Sequence, residues 1–169
     1  MKAYVYIGVT DESVLSDGRV DGLLSELRQG GAQVHVMPPG DTSIEGADIL
    51  ISLGGDGTFL AASSIAALSG VPVVGVNLGR LGFLSENRPE HVAKALLSGD
   101  YVIEDATVLR AVPKDETLFE NAGMWPFAFN EFTVHRTGSA ILGVDVCVNG
   151  TPLPTYWADG LVVSTSSGS

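Results

Sequence analysis

Ile49-Leu50-Ile51-Ser52-Leu53-Gly54-Gly55-Asp56-Gly57-Thr58-Phe59-Leu60-Ala61-Ala62 is the stretch that decides the fold. A short apolar run meets three glycines in four positions, and a segment rich in Ala, Leu and Ile follows as far as Leu68. Ile49–Leu53 reads as a buried strand, and Thr58 to Leu68 as a buried helix closed by Ser69-Gly70. A strand, a tight glycine turn and a helix in that order form half of the βαβ unit from which parallel sheets are built.

The same alternation continues on both sides. Upstream, Ala3–Val9 is β-branched and aromatic and predicts a buried strand. Asp17 to Gln29 carries Val20, Leu23, Leu24 and Leu27 at helical spacing, and Gly30-Gly31 ends it. Val34–Met37 predicts another strand, stopped by Pro38-Pro39-Gly40. Downstream, Val73–Val76 predicts a fourth strand, and Pro89 to Leu97 a helix with proline in its first turn. Residues 1–100 therefore predict an α/β domain whose parallel sheet is covered on both faces.

From Tyr101 onward the Ala-rich helices vanish. Ala106–Val112, Phe127–His135, Ala140–Val148 and Gly160–Ser164 read as strands, and Asn149-Gly150 is a two-residue hairpin signal. Residues 101–169 predict the start of an antiparallel, all-β second domain. About 70 residues lie at the lower edge of independent stability. The last strand runs straight into Thr165-Ser166-Ser167-Gly168-Ser169, so this domain is expected to be incomplete within these residues. Residues 101–169 are accordingly expected to be less regular than residues 1–100, or to depend on partners, because unpaired strand edges leave backbone groups unsatisfied. Thr165–Ser169 has no apolar side chain to anchor it and is expected to be the most mobile segment, ordered when it binds ligand.

Composition narrows the function. Hydrophobic residues make up 45% of the 169, which excludes disorder. The formal net charge is −11, with nine Lys and Arg scattered along the chain. That is too few to displace counterions from a nucleic acid or to hold an anionic membrane. A small phosphorylated ligand remains open, because backbone N–H groups and a metal ion can hold one. Cys147 is the only cysteine, which fits a reducing cytosol and a cytoplasmic location. No apolar stretch approaches membrane-spanning length, and no His/Cys group has metal-ligand spacing.

Four motifs carry chemistry. In Gly54-Gly55-Asp56-Gly57-Thr58 the glycines let ligand or backbone approach closely, and the helix that follows offers free N–H groups to an anion. A carboxylate beside a phosphate site needs a reason. Asp56 can bind Mg²⁺ or take the proton of an attacking hydroxyl, or it can simply cap the helix. Asn77-Leu78-Gly79-Arg80-Leu81-Gly82-Phe83-Leu84 follows the fourth strand and opens onto the same sheet edge. Its apolar residues suit one wall of a base pocket or a loop tucked under the second domain. Asn130-Glu131 can read a ribose diol or an adenine amino group, or face solvent. Asp159-Gly160 leads through a strand to Thr165, Ser167 and Gly168, whose hydroxyls and N–H groups suit phosphate or ribose, or form a flexible polar end.

In order and spacing these motifs resemble the NAD kinase family across essentially the whole chain. The Gly-Gly-Asp-Gly-Thr loop is shared with lipid kinases and phosphofructokinases, while the other three motifs are particular to NAD kinases. The resemblance implies a two-domain enzyme with its site in the cleft between domains. It makes Asp56 the general base, with Gly54, Gly55, Gly57, Thr58 and Asn77 on the nucleotide. Gly57 and Phe83 line the adenosine pocket, and Asn130 and Glu131 bind the ribose and diphosphate region or the adenine. Asp159 contacts the second half of the dinucleotide, often across a subunit interface, and Thr165, Ser167 and Gly168 fall in the family's Thr-Pro-Thr/Ser-Gly-Ser signature. Ser166 stands where the family usually has proline. A divalent metal, with Mg²⁺ expected, ATP as donor and a homodimer or homotetramer are also implied.

The expected reaction is ATP plus NAD to ADP plus NADP, the adenosine ribose 2′-hydroxyl attacking the γ-phosphorus in line while Mg²⁺ spreads the phosphate charge. The rival enzyme is a diacylglycerol-type lipid kinase, which needs an apolar acceptor pocket and a membrane-facing surface that this acidic chain lacks. The rival from another class is a dinucleotide-binding module without catalysis.

Overall fold

Twelve β-strands and four α-helices make up the regular structure of the described residues. The structure, a computed structural model, describes residues 1–8, 12–67, 69–79, 82–115, 117–122 and 125–168. Val9, Leu68, Arg80, Leu81 and Ser169, which the sequence assigns to a strand, a helix, a loop and the tail, lie outside the described residues. The chain divides into two compact units, Met1–Glu104 and Asp105–Ser169.

In the first unit, β1 (Lys2–Ile7), β2 (Gln33–Val36), β3 (Ile49–Leu53) and β4 (Val73–Val76) form one parallel sheet in the order β2-β1-β3-β4. The helices α1 (Gly18–Gln29) and α2 (Asp56–Ala66) fill the crossovers from β1 to β2 and from β3 to β4, and α3 (Pro89–Ser98) follows β4. Alternation along each strand assigns the faces. Ala3, Val5, Ile49, Ile51 and Leu53 pack with Val20, Leu23, Leu24 and Leu27 of α1 and Val92, Ala93 and Leu96 of α3. Leu50, Tyr4, Tyr6 and Val73 point the other way, toward Ala62 and Ala66 of α2. β3 is buried along its whole length, as a central strand between two helical layers must be.

Local signals start and stop these helices. The Asp17 carboxylate accepts from Arg19 N–H at 2.9 Å and caps α1, so the helix proper begins one residue later than the sequence suggests. Gly99 ends α3 in the left-handed conformation, with φ at 72°.

The second unit is built of β5 (Leu109–Arg110), α4 (Thr117–Ala122), β6 (Phe127–Ala128), β7 (Glu131–His135), β8 (Leu142–Val144), β9 (Cys147–Val148), β10 (Thr151–Pro152), β11 (Tyr156–Ala158) and β12 (Gly160–Ser164). Its strands pair antiparallel as two-stranded ribbons, β5 with β6, β7 with β12, β8 with β11 and β9 with β10. The expected long strands are cut short. Ala106–Val112 keeps only β5, Ala140–Val148 breaks into β8 and β9, and α4, β10 and β11 carry no clear sequence signal. Asn149 and Gly150 turn the β9–β10 hairpin with φ of 51° and 82°, as a type I′ turn requires. Among the described residues, every buried apolar side chain lies in the first unit.

Candidate active site

β1 and β3 lie side by side with Ile7 opposite Leu53, and the chain leaves them in opposite directions. From β1 it runs through α1 to β2 at one edge, and from β3 through α2 to β4 at the other. The carboxyl ends of β1 and β3 are therefore the switch point of the sheet, where open α/β folds bind ligands. Gly8 ends β1 here, and Gly54-Gly55-Asp56-Gly57-Thr58 joins β3 to α2. Gly54 has φ of 152°, and a Cβ on it would overlap the Thr58 hydroxyl. A Cβ on Gly8 would come within 3.2 Å of the same hydroxyl. Glycine at both positions lets Thr58 pack into the turn and leaves the first amides of α2 at the switch point.

Asp56 is the first residue of α2, yet it does not cap that helix. Gly55 is the N-cap, with no side-chain cap bond. The Asp56 carboxylate reaches across to the loop after β4. Oδ2 accepts from Phe83 N–H at 2.9 Å, and Oδ1 accepts from Leu84 N–H at 3.0 Å and Ser85 N–H at 3.1 Å. The Phe83 amide, foremost, and those of Leu84 and Ser85 hold the carboxyl below its ordinary range, against the opposing effect of burial. The two glycine-bearing motifs are thus joined by one side chain.

The second loop is itself held from below. The Asn77 side chain donates to Ser85 C=O at 3.0 Å and accepts from Gly79 N–H at 2.8 Å. Asn87 donates to Gly75 C=O at 3.0 Å, and Asn77 N–H donates to Asn87 C=O at 2.8 Å. Arg19 of α1, itself paired with Asp17 at 2.6 Å, donates to Leu78 C=O at 2.7 Å. Asn77 is 6% exposed and so fastens the loop from within, whereas Phe83 is 92% exposed and presents its ring to solvent. Sequence reasoning missed Ser85, Asn87 and Arg19. No local pattern announces them, since their partners lie up to 59 residues away.

In the second unit, Ser164 of β12 sits opposite Glu131 of β7. That register draws the last motif onto the third. Thr165 N–H donates to Asn130 C=O at 2.8 Å and its hydroxyl to Phe129 C=O at 2.7 Å, while Ser167 N–H donates back to the hydroxyl at 3.1 Å. Gly168 lies so close to Asn130 that any Cβ would meet its backbone, and it would sit 2.7 Å from Glu131 Oε2. Asn130 Oδ1 is buried without a hydrogen-bond partner. The tail as far as Gly168 is therefore hydrogen-bonded back to Phe129 and Asn130. Polar bonds through buried Thr165 replace the missing apolar anchor.

Asp159 stands apart from this group. At about 3.3 Å per residue, the length of β12 separates it from Thr165 by about 20 Å. It is 77% exposed and pairs with Arg136 at 2.6 Å.

The ATP-NAD kinase N-terminal domain family matches residues 40–99, the stretch that holds both loops joined by Asp56. The NAD kinase of Bacteroides fragilis is 39% identical over 127 residues, 73% of this chain and 42% of that protein. That of Mycobacterium bovis is 35% identical over 148 residues, 85% of this chain and 47% of that protein. The chain belongs to the NAD kinase family.

Solved structures agree in fold. An NAD kinase from Archaeoglobus fulgidus in complex with ATP superposes with a TM-score of 0.70 at 24% identity, over 97% of this chain and 60% of that one. Yeast NADH kinase complexed with NADH gives 0.68 at 19% identity, over 99% and 58%. Both bear on the fold alone at those identities. The chain spans less than half the length of the curated NAD kinases named above.

Among the described residues no three His, Cys, Asp or Glu side chains come together to hold a metal ion. Nor is any described helix long and apolar enough to cross a membrane.

Proposed function

We propose that the intact protein phosphorylates NAD, moving the γ-phosphoryl group of ATP to the 2′-hydroxyl of the adenosine ribose to give NADP. The 2′-oxygen forms a bond to phosphorus, the bond from phosphorus to the β,γ-bridging oxygen breaks, and ADP leaves. Asp56 takes the hydroxyl proton.

The observation that carries this proposal is the position and hydrogen bonding of Asp56. Its carboxylate stands at the switch point of the sheet, at the start of a helix whose amides favour anions. An ionised carboxylate offers about four acceptor sites. Three are taken by Phe83, Leu84 and Ser85, which leaves about one for the proton of an incoming hydroxyl. Its lowered pKa keeps it ionised, and so able to accept, at neutral pH. Gly54, Gly55, Gly57 and Thr58 shape the phosphate side, and Asn77 fixes the loop that bears Phe83, whose exposed ring suits an adenine face. Asn130, with its unpartnered acceptor, together with Glu131, Thr165, Ser167 and Gly168, forms a second polar group suited to ribose and phosphate. Asp159 is assigned to the far half of the dinucleotide.

Mg²⁺ is the expected ion, but the described residues offer no cage of acidic or imidazole ligands for it. A cytoplasmic, homo-oligomeric enzyme completes the proposal.

A coupled NADP-forming assay on the intact protein tests it. Asp56→Asn should lower kcat by about 10²–10⁴-fold, the usual worth of a positioned base, while NAD still protects the variant against thermal unfolding. Near-normal turnover in Asp56→Asn would sink the assignment of the base. Phosphorylation of diacylglycerol, with none of NAD, would sink the substrate.

A further inference from the structure

Gly82 has no side chain, and the space where one would stand is filled by Asp56. A Cβ built on Gly82 would overlap Asp56 Oδ1 and would lie 2.7 Å from Cγ and 2.9 Å from Oδ2. Those three atoms are its nearest neighbours, so the conflict is with the carboxylate itself. A side chain at position 82 would therefore push first on Asp56.

The next three residues, Phe83, Leu84 and Ser85, donate the N–H groups that hold that carboxylate. Absence of a side chain at 82 and the row of amides at 83–85 are thus two parts of one seat. The first admits the carboxylate, and the second fixes both of its oxygens. Movement by even one ångström would break bonds of 2.9 to 3.1 Å. It would also move the remaining acceptor site away from a bound hydroxyl, and misplacement of about 1 Å can cost about a hundredfold in rate.

We propose that Gly82 is a positioning residue for the reaction, giving the Asp56 carboxylate the seat from which it takes the substrate proton. This rests on Asp56 being the base. Gly82 itself touches no substrate in this scheme, so its loss should appear in kcat and spare the binding of NAD.

The test is Gly82→Ala in the intact protein, with Gly138→Ala as the control, since a Cβ on Gly138 meets nothing within 4 Å. Gly82→Ala should lower kcat at least about tenfold while the KM for NAD stays within about threefold, and Gly138→Ala should behave as the parent. The thermal midpoint supplies a readout independent of turnover. Gly82→Ala should lower Tm in the parent, yet leave it unchanged in the Asp56→Ala background, where the obstructing carboxylate is gone. Parent-like kcat in Gly82→Ala, or an equal loss of Tm in both backgrounds, would overturn the proposal. If the parent forms no NADP, the assignment of activity fails, and the Tm cycle still decides whether Gly82 seats Asp56.

Discussion

At the scale of single residues, glycines that look alike in the sequence have opposite duties. Gly54→Ala should destabilise the protein by about 1–3 kcal/mol, because alanine is strained at a φ of 152° and its Cβ meets Thr58. Gly22→Ala, on the exposed side of α1 with nothing within 4 Å, should instead stabilise by about 0.4–1 kcal/mol. Urea unfolding of the two variants checks both, and equal signs would contradict the account of the turn. Asp56 makes a prediction in pH. Its folded-state pKa is depressed, so its contribution to stability is full above the unfolded carboxyl value of about 3.9 and is lost as pH falls through the folded value. The Tm advantage of the parent over Asp56→Asn should therefore shrink as pH is lowered from about 6 to about 3. An advantage that holds constant across that range would show that the amides of Phe83–Ser85 do not favour the ionised form.

At the scale of elements, β3 is the keel of the first unit. Leu50 is fully buried between β3 and α2, and Leu50→Ala should cost about 2–5 kcal/mol in chemical unfolding. The start of α1 depends on Asp17, which Arg19 pulls down from 3.8 to about 2. That support is present above pH 3.8, fades between there and about 2, and is weakened by salt because the pair is exposed. A Tm difference between the parent and Asp17→Ala that closes on acidification, and more gently on adding salt, is the expected result. Most of this unit was legible in advance. Buried strands such as Ile49–Leu53 announce themselves by apolar runs, and Val20, Leu23, Leu24 and Leu27 mark the inner face of α1 by their spacing. The second unit was legible mainly at Asn149-Gly150, where the turn chemistry is local. Its other strands have two to five residues and exposed faces, so no period of hydrophobicity distinguishes them. At the site, Asp56 was visible from its glycines, but its three amide donors were not. Main-chain groups are the same in every residue and leave no mark on composition.

At the scale of the whole molecule, the two units offer separate optical reporters. Both tryptophans, Trp125 and Trp157, lie in the second unit, 38% and 72% exposed. The three long helices lie in the first. Tryptophan emission thus follows Asp105–Ser169, while helical circular dichroism follows mainly Met1–Glu104. The second unit has no buried apolar side chain among its described residues, so its transition in urea should come first. Superimposable curves from the two probes would mean that the units unfold as one. Trp157 should also be freely quenched by acrylamide under native conditions.

The seat of Asp56 has an evolutionary corollary. All three donors are main-chain, so a codon change at 83, 84 or 85 alters what the loop displays and keeps the N–H that holds the carboxylate, proline alone excepted. Phe83 can therefore drift, or be redesigned to favour another nucleobase, under selection for ligand preference alone. Chemistry and preference are inherited here through different atoms of the same three residues.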